Sequence, residues 1–259
     1  MHEQIGEHFT WHWAGLQHAL APVLGPGLAG VLATFHSDTL ITTWIVMAIS
    51  LVFFAWIGAS YRSARVSKRQ TVIEGVINYI ADLATGVLGE KGEPFVPFFI
   101  TLFVFIFLLN QFGFVPLKAA GFSFGGSPTA DLNTTAAFAL MVFVLIQTVG
   151  FIKKGPKYPL HLFKPFPVLF PLNLLDELIR PVTLAARLFF NIFVGELLFI
   201  IIASIILAKV MIGPVNLSLA VTIVPFFIQF FNFFVGTVQA FLFTLLAIVY
   251  LSLAVAEEH

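Results

Sequence analysis

LAARLFFNIFVGELLFIIIASIILA, residues 184–208, decides how this chain folds. The run is long and apolar enough to cross a bilayer as a helix, and its only ionisable residues are Arg187 and Glu196. A guanidinium placed there costs about 3 kcal/mol on insertion scales, and arginine does not shed its proton in proteins. Such residues face a bundle interior or a water pathway. Two readings of Arg187 stay open at this level. It is either a fixed cation awaiting a carboxylate from a partner, or a donor to backbone carbonyls that locks helices together.

The rest of the chain agrees with a membrane setting. It has 259 residues, of which 59% are hydrophobic and 10% charged; its mean hydropathy is +0.99. Soluble domains carry roughly 25% charged residues, so an all-α polytopic membrane protein is expected. Net charge is zero, which leaves no basic surface for nucleic acid. There are no cysteines, so disulfides and thiolate metal sites are excluded, and no metal or prosthetic group is expected. His8 and His12 are spaced four apart, too little for a metal site, and Trp11 and Trp13 read as interfacial anchors. Gly86, Gly89 and Gly92 do not form a phosphate-binding loop. The opening residues lack the basic-then-apolar pattern of a secretory signal.

Residues 39–60, 94–116 and 132–152 are charge-free and near the roughly 20 residues that a spanning helix needs. The segment between the first two differs. It opens with Arg62, Arg65, Lys68 and Arg69 and continues as TVIEGVINYIADLATGVLGE. Val72, Ile73, Val76, Ile77, Ile80, Leu83, Val87 and Leu88 recur there at helical spacing, with Glu74, Asn78 and Asp82 opposite, so 70–90 reads as an amphipathic interfacial helix. Residues 171–208 and 215–256 would each run to about 60 Å as helices, close to twice the roughly 30 Å hydrocarbon core. They must tilt, bend or break, and Pro225 offers one bend. The expectation is five membrane-crossing helices plus the interfacial one. The last two form a strongly tilted hairpin, joined near Gly213 and Pro214, within a single membrane domain over 39–259 that follows an extracytoplasmic segment over 1–38.

Of 13 Lys and Arg residues, Arg62, Arg65, Lys68, Arg69, Lys91, Lys153, Lys154, Lys157 and Lys164 fall in two loops. The excess of positive charge marks those loops as cytoplasmic. Lys118 and Lys209 then lie outside with the N-terminus, and the C-terminus lies inside.

At 100° per residue Asp176, Arg180, Thr183, Arg187 and Asn191 share one face within about 40°. Glu196 points about 180° away and about 13.5 Å further along, so it cannot pair with Arg187 on the same helix. Asn232, Gln239 and Tyr250 share a face of the last helix, and depth brings Gln239 within reach of Arg187 for a hydrogen bond. Each has a plainer alternative. Membrane Asn and Gln are often interhelical glue worth about 1 kcal/mol, and Asp176, Glu177 and Arg180 could be solvated at the interface.

RPVTLAARLFFNIFVGELLF (180–199) resembles the signature helix of subunit a of F-type ATP synthases. VQAFLFTLLAIVYLSLAVAEEH (238–259) is similar to the end of that family, and LLNQFGFVP (108–116) and PTADLN (128–133) match two further segments in order. The resemblance covers roughly residues 40 to 259. It implies an ion-translocating stator subunit of a rotary ATP synthase in a bacterial plasma membrane, packed against a ring of c subunits and held with b-type peripheral stalk subunits. ATP chemistry would lie on other subunits, so the chain would not be an enzyme by itself. Arg187 looks like the family's essential arginine, with Asn191 and Gln239 as polar partners. Glu196 matches the acid of the half-channel open to the outside, and Asn110, Asp131 and Asn133 match residues near that entry. Asp176, Glu177 and Thr183 would line the cytoplasmic half-channel, and Asn232 and Tyr250 complete the lining. Three positions depart from the pattern. Asn232 stands where many relatives carry His or Glu, Phe190 replaces a small residue, and Gly113 sits where some relatives have Asp.

A stand-alone secondary transporter is the competing class, but its usual repeated halves are not evident in this sequence. A purely structural membrane scaffold is the third, and it would leave Arg187 and Glu196 without a role in ion flux.

Overall fold

The computed structural model describes residues 10–12, 18–19, 21–22, 25–27, 30, 34–61, 68–113, 126–155, 158, 166–207 and 218–255. Six long helices account for most of them: α1 (Ser37–Ser60), α2 (Lys68–Leu88), α3 (Val96–Phe112), α4 (Leu132–Lys154), α5 (Phe170–Leu207) and α6 (Ser218–Val255). Short 3₁₀ turns at Gly89–Phe95, Pro128–Ala130 and Pro167–Leu169 lead into α3, α4 and α5. A two-stranded antiparallel ribbon precedes the helices, pairing β1 (Thr10–His12) with β2 (Thr34–His36) through Trp11 and Phe35. Arg62, Arg65, Lys118, Lys157, Lys164, Lys209, His8, Trp13, Gly213 and Pro214 lie outside the described residues.

All six helices are long and apolar enough to cross a membrane. That includes α2, which the sequence reading assigns to the interface. Its faces explain the ambiguity. Ile80, Ala84 and Leu88 are buried, whereas Val72, Val76, Tyr79 and Val87 form an exposed apolar stripe beside them. Asn78 and Asp82 occupy the remaining exposed face. The apolar arc is thus wider than protein packing alone requires.

The two longest helices, α5 and α6, each have 38 residues. Pro181 lies inside α5, and lacking an N–H it cannot close the helix bond to the Glu177 carbonyl. In α6 the helix continues through position 225.

The chain divides into two compact units. The first comprises Met1–Ala48, Leu108–Thr135 and Phe189–Val238; the second comprises Ile49–Phe107, Ala136–Leu188 and Gln239–His259. The interior of the first is polar for a membrane protein, with Asn110, Ser127, Thr129 and Thr135 buried beside Leu109 and Ile192. The second has an apolar core built on Phe99, Ile106, Leu188, Phe243, Ile248 and Leu251. Its α6 positions Ala240, Phe243, Ala247, Leu251 and Ala254 recur every three or four residues, the spacing of one helix face. Tyr79 of α2 meets Phe241 of α6 at 5.8 Å, and Phe105 of α3 meets Phe138 of α4 edge-on at 5.7 Å.

Candidate functional site

In the first unit, polar side chains from three helices and the turn before α4 form one connected network. Asn110, in the last turn of α3, donates from Nδ2 to the Gly236 carbonyl at 2.8 Å and accepts on Oδ1 from the Thr129 hydroxyl at 2.6 Å. The Ser127 hydroxyl lies 2.6 Å from the Thr129 hydroxyl and 3.1 Å from the Leu109 carbonyl, and its single proton serves one of the two at a time. The Ser127 backbone N–H donates to Glu196 Oε1 at 2.7 Å. A buried polar group with no partner costs a few kcal/mol, and this chain satisfies such groups pairwise from Gly236 to the Glu196 carboxylate.

Two glycines make room for that contact. A Cβ at Gly113 would sit 2.8 Å from the Ser127 Cβ and 3.1 Å from Glu196 Oε1. Gly126 has φ +100°, a backbone conformation that suits glycine, and it delivers the Ser127 amide to the carboxylate. The Asp that some relatives place at position 113 would have no room here.

Asn232, on α6, donates to the Gly195 carbonyl at 3.2 Å, one residue before Glu196. Gln111 donates to the Thr237 hydroxyl at 3.1 Å and the Phe233 carbonyl at 3.2 Å, while its buried Oε1 has no hydrogen-bond partner among the described residues. Asp131 acts locally. Its Oδ1 accepts the Asn133 N–H at 2.9 Å, capping the start of α4.

The second unit holds a charged cluster. Glu177 is 9% exposed. Its Oε1 accepts from Gln147 Nε2 at 2.7 Å, and its Oε2 lies 3.4 Å from Arg180. Arg180 also donates to Asp176 Oδ2 at 3.1 Å and lies 5.7 Å above the Tyr250 ring, a cation–π distance. A cavity of about 10 Å³ lies between α4, α5 and α6 here, lined by Glu177, Arg180, Pro181, Leu184 and Tyr250 together with apolar α4 residues. That is enough for about one water. Tyr158 is buried, its ring filling the space where a Cβ at Gly150 would come within 2.5 Å. Burial raises its phenol above the ordinary value and the Glu177 charge adds to the effect, while Arg180 opposes both.

Arg187 belongs to neither cluster. It is exposed, and among the described residues it makes no hydrogen bond or ion pair. The hydrogen bond to Gln239 expected from depth is therefore not made; Gln239 is buried at 1% exposure. Depth along two helices fixes height but not azimuth, and Arg187 projects from the outer face of α5. Thr183, one turn earlier, is exposed and returns its hydroxyl to the Arg180 carbonyl at 2.9 Å. Asn191, one turn later, is exposed as well.

The structure thus gathers Asn110, Glu196 and Asn232 into one unit's network and Asp176, Glu177 and Tyr250 into the other's. Sequence reasoning missed Ser127, Gln111, Gln147 and Tyr158. The glutamines carried a usable signal, since an amide inside an otherwise apolar span needs a partner. Ser127 acts on Glu196 through its backbone, which residue type does not reveal.

The model of the ATP synthase A chain family matches residues 40–252. The chain belongs to this family. It is accordingly an integral, multi-pass membrane protein and a proton-translocating stator subunit of ATP synthase. The matched region contains both polar clusters and Arg187.

Proposed function

We propose that this subunit provides two proton half-channels and an essential arginine, Arg187, that faces the carboxylates of a ring of c subunits and so couples proton flow to rotation and ATP synthesis. The observation that carries this reading is the state of Arg187: an exposed guanidinium in an apolar helix, with no counter-charge among the chain's own described residues. A permanent cation in such surroundings calls for an acid on another polypeptide. An adjacent guanidinium favours the ionised form of that acid and drives off its proton. Lysine would serve poorly, because a buried ammonium can deprotonate.

In this scheme protons enter past Asn110, Asp131 and Asn133 to Glu196, with Asn232 completing the lining, and neutralise a rotor carboxylate. They leave past Thr183, Glu177 and Asp176, with Tyr250 at the wall. Gln239 and Asn191 shape the polar surroundings of the arginine. In sequence Arg187 falls ten residues after Glu177 and nine before Glu196, so its positive charge stands between the two routes and repels protons that would short-circuit them. The driving force is about 2.3 kcal/mol per charge for each 100 mV. The basic loops place the C-terminus in the cytoplasm and the N-terminus outside a bacterial plasma membrane, with α2 at the interface and b-type stalk subunits completing the stator.

The test is Arg187→Ala in the assembled complex. ATP-driven proton pumping into inside-out vesicles should vanish while the complex still assembles. Pumping that survives the substitution refutes the proposal.

A further inference from the structure

The amide of Gln147 has no part in the proton path proposed above, yet it is aimed at that path's most buried carboxylate. Gln147 lies on α4 in a span with no charged residue before Lys153. A glutamine there is costly unless another helix supplies a partner. The partner is the carboxyl group of Glu177, whose Oε1 accepts at 2.7 Å.

Arg180 is shared unequally between two carboxylates. The Asp176 side chain is 68% exposed and the Glu177 side chain 12%. Spaced three and four residues from Arg180, both lie within its reach along one helix. Gln147 gives the buried carboxylate an anchor on a second helix, away from the guanidinium. Gln147 holds Oε1 while Oε2 lies near Arg180, which keeps the carboxylate where a water can reach it. The cavity these groups line, with Pro181, Leu184 and Tyr250, holds about 10 Å³, room for one such water.

We propose that Gln147 is a positioning residue of the proton-release path: it holds the Glu177 carboxylate at the water-sized cavity and keeps it from closing onto Arg180. The inference rests on the reading of Glu177 as part of the cytoplasmic half-channel, and it adds a residue from a different helix that acts only through that carboxylate.

A double-mutant cycle in the assembled complex tests it, with ATP-driven proton pumping as the readout, normalised to assembled complex. Gln147→Met keeps the side chain's length and removes the donor; Glu177→Gln removes the group to be positioned. Gln147→Met alone is expected to slow pumping about tenfold, the worth of a hydrogen bond to a charged group. In the Glu177→Gln background it should slow pumping no further, because no proton-carrying carboxyl group is left to position. A full additional loss in the double variant means Gln147 only packs, and overturns the inference. So does unchanged pumping in Gln147→Met beside slow pumping in Glu177→Gln, which leaves the half-channel reading intact. Unchanged pumping in Glu177→Gln removes Glu177 from the path and the inference with it, while Arg187→Ala separately tests the coupling scheme. Should Gln147→Met fail to assemble, the same cycle with Gln147→Asn, one methylene shorter, decides the matter.

Discussion

One absent methyl group governs the surroundings of Glu196. At Gly113 a Cβ would press on the Ser127 Cβ at 2.8 Å, the Ser127 nitrogen at 3.0 Å and Glu196 Oε1 at 3.1 Å. Two of these neighbours belong to a turn already held by hydrogen bonds to Leu109 and Thr129, so little can yield. Gly113→Ala should destabilise the subunit by about 1–3 kcal/mol, the usual cost of overpacking, and slow proton uptake by displacing the Ser127 amide. Thermal melting of the complex and the initial rate of proton flux check the two effects. Gly86→Ala is the control. Its added Cβ meets nothing within 4 Å, and in a helix interior the change should stabilise by up to about 1 kcal/mol. Tyr158 supplies a prediction with a pH axis. Its phenol is raised by burial and by Glu177, so the folded state favours the protonated form. Stability should be fully present below the ordinary phenol value and fall as pH rises through the raised one. Alkaline unfolding of Tyr158→Phe should lack that decline; an unaltered decline would assign it to another group. At this scale the sequence revealed which residues are polar in apolar surroundings, and hence Arg187, Glu196 and Glu177. It could not reveal azimuth, which is why depth alone pairs Gln239 with Arg187 although Arg187 points outward.

Among the elements, α6 meets α5 and α3 closely where side chains are missing. Within the first unit, a Cβ at Gly195 would lie 2.7 Å from Asn232 Oδ1, and one at Gly236 would lie 3.2 Å from the Asn110 Cβ. Small residues at such points let membrane helices approach, and the polar side chains opposite then bond the exposed carbonyls, as Asn232 does to Gly195 and Asn110 to Gly236. Gly195→Ala should therefore break the Asn232 hydrogen bond and cost about 1 kcal/mol. If that contact is the only loss, adding Asn232→Ala should cost little more. Guanidinium or thermal unfolding in detergent measures both. Helix existence was legible from apolar runs of sufficient length, because a bilayer leaves the backbone few alternatives. The character of α2 was less so. Periodicity marked its polar face, but a sequence does not say how much of an apolar arc protein covers, and here Val72, Val76 and Tyr79 remain exposed beside buried Ile80.

For the whole molecule, the outer surface is as informative as the core. On α1, Leu40, Ile41, Trp44, Val52 and Trp56 are exposed, Trp44 by 69%. No water-soluble protein tolerates an apolar surface of this extent, so these side chains need lipid or another subunit against them. Brominated lipids should quench a large part of the fluorescence that Trp44→Phe removes; a Trp44 signal insensitive to bromine would mean that protein covers this face. The class of molecule was evident from composition, and four ordered motifs pointed to the family. The division into two units was not, since it depends on packing between segments distant in sequence.

Arg187 gives the isolated polypeptide one further property. A membrane-embedded chain whose span carries a cation with no counter-charge among the described residues is an incomplete object: alone in the bilayer it must drag in water or headgroups, and either loosens the helices around it. Its lifetime in the cell should then depend on how soon it meets an acid-bearing neighbour, as any species stabilised only by binding does. Newly made copies that find no such neighbour would be the ones a membrane protease clears first.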